Sequence, residues 1–166
     1  STLRSISGML IPGGFGKRRT DGKIEAIRYA RNNKIPFLGI CYGMQMAIIE
    51  FARNKLNIKK ATSSEFDKKG VHVIGLINEW KKDGKTIKGT DKDLGGTMRL
   101  GSYDATLKDN SLIRKIYGKN IIKERHRHRY EVNINYKEKF EKNGMSFSGL
   151  SPDGSLPEII ELKNHP

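Results

Sequence analysis

The run Ile35-Pro36-Phe37-Leu38-Gly39-Ile40-Cys41-Tyr42-Gly43 constrains this chain more than any other stretch. Its first four residues read as a short buried parallel strand, and residues 44–56 read as a helix. Between them G-x-C-x-G repeats the geometry of the G-x-S-x-G nucleophile elbow, with sulfur in place of oxygen. Glycines at 39 and 43 let strand and helix approach closely through a strained turn, which leaves the middle side chain exposed at the sheet's edge. A thiol held there faces a helix N-terminus, whose partial positive charge favours thiolate over thiol. Cys41 is therefore read as a nucleophile. It is the only cysteine in the chain, so no disulfide can form within it. The bland alternative is an inert core cysteine; the flanking glycines favour the elbow.

Upstream lies the other half of the frame. Gly8-Met9-Leu10-Ile11-Pro12 reads as a buried strand running into Gly13-Gly14-Phe15-Gly16, a loop whose backbone can approach a ligand closely. It is not a Walker loop, because no G-K-[ST] follows at the right spacing. Over residues 21–33, Ile24, Ile27 and Ala30 mark one helical face, with Lys23, Arg28 and Arg31 off it. Strand, glycine loop, helix and strand form a βαβ unit. Its right-handed crossover brings the glycine loop and the cysteine elbow to one rim of a parallel sheet.

Downstream, residues 61–67 read as a polar surface loop carrying Glu65, and residues 71–77 as a strand. Trp80 followed by Lys82-Asp83-Gly84-Lys85 suggests a turn. Residues 88–93 are charged and aperiodic, which suits a mobile flap before the glycine-bounded strand opening at 95–101. Leu107 with Leu112, Ile113 and Ile116 suits a short helix capped by Asn110 or Ser111. Residues 124–132 interleave His and Arg before an extended run. They read as a zinc site, a polyanion patch or a strand carrying substrate contacts; two His at i and i+2 with no nearby Cys argue against zinc. Residues 136–142 suit a short helix ended by Asn143-Gly144. Residues 145–150 and 157–162 read as two strands joined across Pro152-Asp153-Gly154.

The chain has the size of one domain with a real core. Lys and Arg outnumber Asp and Glu by 32 to 18, which raises a polyanion as a partner. The cations are spread along the chain, with few of the aromatic platforms of a single-strand binder. Most of the charge reads as solvated surface, and nucleic acid is not expected as a partner. No leader-like or membrane-spanning apolar run occurs, so no membrane association and a cytoplasmic location are expected.

Gly13-Gly14-Phe15-Gly16, Gly39-Ile40-Cys41-Tyr42-Gly43-Met44-Gln45, Ser64-Glu65-Phe66, Gly95-Gly96-Thr97-Met98-Arg99-Leu100-Gly101 and Arg125-His126-Arg127-His128-Arg129-Tyr130-Glu131-Val132-Asn133 occur in that order over nearly the whole chain. Together they resemble the class I (triad) glutamine amidotransferases, and the last two strings are similar to those of the CTP synthase family's glutamine amidotransferase domain. The resemblance implies an α/β fold with an open, mostly parallel central sheet flanked by helices, flavodoxin-like. It implies that Cys41 attacks the side-chain amide of L-glutamine, forming a thioester and releasing ammonia. Backbone N–H groups of Gly14 and Tyr42 would hold the oxyanion, where the elbow geometry also puts them. Tyr42 stands where relatives often have leucine, a change that a backbone donor tolerates. Gly14, Phe15, Tyr42, Gly43, Met44, Gln45, Glu65, Arg129 and Tyr130 match glutamine-binding positions. The chemistry agrees: a zwitterion needs an acceptor for its ammonium, suited to Glu65, and a donor for its carboxylate, suited to the Arg129 region.

Residues 88–99 resemble a lid near the glutaminase entrance that takes part in allosteric activation by GTP. No metal or cofactor is implied within this domain; ATP and magnesium serve a synthetase domain that aminates UTP to CTP, making the whole enzyme a ligase and a homotetramer. Against the family pattern, the part before Met9 is short, and the catalytic histidine belongs to an F-H-P-E string beyond an N-H-P-W-F sequence, whereas this chain stops at Asn164-His165-Pro166. His165 matches the earlier string and is not the general base. Residues 1–166 are thus expected to be a glutaminase domain truncated at both ends, without the triad His and Glu and without the synthetase domain. Loss of the proton donor predicts a rate lower by roughly two to four orders of magnitude, and loss of the synthetase domain predicts a monomer or weak dimer. Two other readings remain: a catalytically silent domain that binds glutamine or a partner, and a class I amidotransferase feeding a different acceptor.

Overall fold

The computed structural model describes residues 2–76 and 98–166, with the backbone of 81–82 and 85–86. After a 3-10 turn at Thr2–Ser5, the elements in chain order are β1 (Met9–Ile11), α1 (Thr20–Asn32), β2 (Phe37–Gly39), α2 (Tyr42–Asn54), β3 (Ala61–Ser63), β4 (Val71–Leu76), β5 (Lys81–Lys82), β6 (Lys85–Thr86), β7 (Arg99–Leu107), α3 (Leu112–Tyr117), β8 (Ile121–His128), β9 (Tyr130–Val132), α4 (Lys137–Lys142), β10 (Met145–Leu150) and β11 (Pro157–Leu162). β1 and β2 pair in parallel, Met9 opposite Phe37 and Ile11 opposite Gly39, with α1 as the crossover. β3 runs parallel to β4, which pairs antiparallel with β9. The order β11-β10-β7-β8 forms an antiparallel sheet. Parallel pairing among the described residues is thus confined to the two pairs β1/β2 and β3/β4. Short hairpin connections such as that between β10 and β11 admit only antiparallel neighbours.

Helix α2 is the axis of the core. Every residue from Tyr42 to Ala52 is buried, as expected of a helix covered on all sides. It touches α1 and strands β1 to β4 and β9. Phe51 stacks on Phe140 of α4 at 5.7 Å between ring centroids, and Phe140 meets Phe147 of β10 edge-on at 5.8 Å. The one carboxylate buried in this helix, Glu50, is met by Arg31 of α1, whose Nε and Nη2 donate at 2.9 and 2.8 Å. On α1 the buried residues Ile24, Ile27 and Ala30 form the expected inner face.

Three sequence expectations need correction. β2 is not fully buried: Leu10 and Leu38, paired in register, are each 57% exposed. Side-by-side residues project to the same face, and no described element covers this one. Ala61–Ser63 is a buried strand, not a surface loop, because it pairs with β4 beneath α2. Leu107 ends β7 and packs with Ala105 and Ile122, leaving Leu112 and Ile116 of α3 exposed; Ser111 does cap α3, accepting the Arg114 N–H. The turn expected at 82–85 is flanked by the β5–β6 pairing of Lys81 with Thr86. Residues 83 and 84, like residues 88–97 of the expected lid, lie outside the described residues.

Candidate active site

Cys41 forms the junction between β2 and α2 with φ 57° and ψ −105°. A residue bearing a side chain enters such a region at a cost of about 1–3 kcal/mol. The glycines on either side explain how the strain is held. A Cβ on Gly39 would stand 2.7 Å from the carbonyl carbon of Gly43, and one on Gly43 would run into the Ile11 carbonyl oxygen of β1. Strand and helix are therefore in direct backbone contact. Ile40 N–H donates to Ile11 O and Gly43 N–H to Ile40 O, both at 2.9 Å.

The glycine loop closes over the elbow. A Cβ on Gly13 would lie 3.6 Å from Cys41 Cβ, and one on Gly14 3.8 Å from the Tyr42 ring. Tyr42 Oη donates to Gly16 O at 2.9 Å, and Gly16 N–H donates to Glu65 Oε1 at 2.8 Å. Burial, reinforced by the charge of Glu65, pushes the Tyr42 phenol up to about 12, so it remains a donor. Its own amide, at the first position of α2, belongs to the turn whose N–H groups have no intrahelical acceptor. One turn on, Gln45 Nε2 donates to Tyr130 O at 2.7 Å and ties α2 to β9.

These contacts gather residues from four parts of the chain into one cleft. Gly14, Phe15, Cys41, Gln45, Glu65, Arg129 and Tyr130 line it, while Tyr42, Gly43 and Met44 form the first, buried turn of α2 behind Cys41. Arg129 brings a buried Nε with no hydrogen-bond acceptor.

Two lining residues were not singled out as site residues from sequence: Arg127 and His128. His128 ends β8 and lines the same cleft as Cys41. Its Nδ1 lies 3.5 Å from Glu131 Oε1. Burial alone would lower its pKa, but hydrogen bonds and attraction to Cys41 and Glu131 prevail and raise it to about 10. Behind it runs a buried ionic chain. Arg99 Nη1 donates to Glu131 at 3.1 Å and its Nη2 to Glu158 at 2.6 Å, and His126 Nδ1 sits 3.6 Å from Glu158 Oε2. His126, 3.4 Å from His128 between Nδ1 atoms, has its pKa lowered, chiefly by burial. The available sequence signal was the period of two: His126 and His128 share one side of β8.

The model of the family "Glutamine amidotransferase class-I" matches residues 2–166. The chain is 82% identical over 164 residues to the CTP synthase of Pelagibacter ubique (strain HTCC1062), covering 99% of this chain and 30% of that protein. It is 58% identical over 165 residues to the CTP synthase of Zymomonas mobilis, again covering 99% of this chain and 30% of the relative. The chain thus spans about a third of the length of these curated relatives. Among solved structures it is similar to the glutaminase domain of Trypanosoma brucei CTPS with bound acivicin, at 35% identity and a TM-score of 0.79, covering 99% of this chain and 65% of that one.

Proposed function

Because the chain belongs to the class-I glutamine amidotransferase family, we propose that it is the glutamine-hydrolysing part of a CTP synthase, releasing ammonia from L-glutamine through a thioester on Cys41. The observation that carries this reading is the cleft in which Cys41, on its strained elbow, meets Gly14, Gln45, Glu65 and Arg129. Glu65, fixed by the Gly16 N–H, accepts the substrate ammonium, and the buried Nε of Arg129 donates to the carboxylate. The Cys41 sulfur attacks the amide carbon: an S–C bond forms and the carbonyl pair moves onto oxygen, held by the N–H groups of Gly14 and Tyr42. As that pair returns, the C–N bond breaks, and nitrogen takes the proton that the Cys41 thiol released on attack and leaves as ammonia. Water then cleaves the thioester to glutamate and restores the thiol.

In the longer relatives' frame, the ammonia aminates UTP to CTP in a synthetase portion that uses ATP and magnesium and forms a homotetramer. GTP acts on the segment 88–99. None of these additional ligands is assigned to the described residues of this chain, which by itself is a monomer or weak dimer.

The test is ammonia release from glutamine by the full-length protein with Cys41→Ala as the comparison, together with mass spectrometry for an acivicin adduct. The expected result is an adduct on the Cys41 peptide and a loss of release of about a thousandfold or more in the variant. Release that survives Cys41→Ala, with no adduct on the native protein, overturns the reading.

A further inference from the structure

Resting on the reading of Glu65 as the acceptor for the glutamine ammonium, we propose that the Tyr42 hydroxyl is a positioning group for that reaction. It acts as a latch that holds Gly16 over the elbow and, through the Gly16 amide, sets the direction of Glu65. Gly16 is gripped from both sides. Its carbonyl accepts from Tyr42 Oη at 2.9 Å, and its N–H donates to Glu65 Oε1 at 2.8 Å. Packing does little to keep it there. A Cβ on Gly16 would meet nothing within 4 Å, and its φ of +78° lies in the left-handed region, which a glycine enters and leaves at little cost. Phe15, the large side chain beside it, is 65% exposed. Among the described residues, these two hydrogen bonds are the ones that residues 13–16 make. The end of the loop therefore rests on one phenol and one carboxylate.

The phenol is fixed where the loop is not. Tyr42 is the first residue of α2 and is buried. Its ring meets Phe66 edge-on at 6.1 Å between centroids, lies 5.2 Å from the Lys23 ammonium of α1, and backs onto Gly14. Burial, with the charge of Glu65 adding to it, keeps the hydroxyl protonated, its pKa at about 12. A rigid donor thus faces a permissive glycine whose amide reaches the carboxylate. Glu65 has its own backbone N–H on Ser63 Oγ at 3.2 Å, which anchors its main chain and leaves the carboxylate to be aimed by Gly16. An ammonium contact is made by bound glutamine and kept through acyl transfer. A loosened Glu65 therefore weakens substrate and transition state alike, which raises KM and spares kcat.

The experiment compares Tyr42→Phe with the native full-length protein, since phenylalanine keeps the ring and removes only the hydroxyl. Ammonia release is expected to show KM for glutamine raised about three- to tenfold, the effect of one neutral hydrogen bond, with kcat within about twofold. Because the hydroxyl acts through Glu65, Tyr42→Phe should change kcat/KM by less than about twofold in a Glu65→Ala background. A variant that melts earlier yet keeps the native KM overturns the proposal. So does a fall in kcat at native KM, or the full loss repeated on top of Glu65→Ala. Hydrogen exchange, read by mass spectrometry on the peptide spanning 13–17, needs no glutamine. Without the hydroxyl the Gly16 amide should exchange faster by about the same three- to tenfold, while the peptides of α2 keep their native rates. Equal exchange overturns the latch. Faster exchange in Tyr42→Phe, in a protein whose native form releases no ammonia, supports the latch and overturns the glutaminase reading. Native ammonia release with KM and exchange both unchanged in Tyr42→Phe does the reverse.

Discussion

Replacing Arg99 by Met should destabilise the protein more than replacing its whole ionic cluster. Arg99 is 7% exposed and reaches two acids that are themselves almost fully buried, Glu131 at 3.1 Å and Glu158 at 2.6 Å. Burial would lower its pKa, but the bond to Glu158 and the charges of both acids outweigh that and raise it, so the guanidinium stays charged. Methionine keeps the volume and can still pack on the Tyr103 ring, over which the guanidinium carbon now sits at 4.6 Å. It leaves both carboxylates without their shared cation. Removing one partner of a buried ion pair costs about 3–5 kcal/mol. For a domain of this length each kcal/mol moves Tm by about 2–4 °C, giving a fall of roughly 6–20 °C. The combined Arg99→Met/Glu131→Gln/Glu158→Gln protein loses all three of these buried ions together, and His128, without the Glu131 charge that helps to raise its pKa, can shed its proton, so it is expected to lose less than about 2 kcal/mol. The assay is urea and thermal unfolding followed by circular dichroism. A loss below about 1 kcal/mol for Arg99→Met, or a triple variant as unstable as the single one, refutes the reasoning.

Gly43→Ala adds a methyl to the first turn of α2, where helix propensity alone would gain about 1 kcal/mol. The methyl meets the Ile11 carbonyl of β1, so the expected outcome is a net loss of about 2 kcal/mol or more together with lower alkylation of Cys41; a more stable variant would contradict the close contact. Asp153 is held down to about 2, first by the Ser151 hydroxyl and then by the Ser155 N–H and hydroxyl. A depressed carboxyl adds stability above its unfolded value near 3.8 and loses it as pH falls toward 2. Asp153→Asn should therefore flatten the acid limb of the stability curve between those values, by under about 1 kcal/mol for so exposed a turn. An unchanged limb would count against it.

What the sequence made legible was local. The βαβ unit, the elbow and α2 were readable because apolar period, glycine spacing and strand length all act within a few residues. β3 was not, since Ala61-Thr62-Ser63 carries no apolar run. Its burial comes from pairing with β4 and from Arg53 of α2, whose Nε donates to the Ala61 carbonyl at 2.8 Å. The exposure of Leu10 and Leu38 was equally invisible, because an apolar side chain says nothing about what lies opposite. The cleft-lining residues came from order and resemblance, and the structure gathers seven of them around one opening. His128 was passed over as one of several alternating cations. Its distinction lies in Cys41, 87 positions earlier in the numbering, and in Glu131, whose own partner Arg99 is 32 residues away. Such long-range placement leaves no local pattern to read.

The same placement links the antiparallel sheet to the nucleophile. Arg99 opens β7, the strand that follows residues 88–97, and its two arms reach β9 and β11. Through Glu131 on β9 its position bears on His128, and through the Tyr130 carbonyl β9 also holds Gln45 on α2. A shift in the start of β7 would have to break a buried charge pair or carry Glu131 with it, since buried ions tolerate little loosening. The elbow itself cannot absorb such a shift, because β1, β2 and α2 already touch backbone to backbone. Movement at β7 is therefore felt at the imidazole before it is felt at the sulfur.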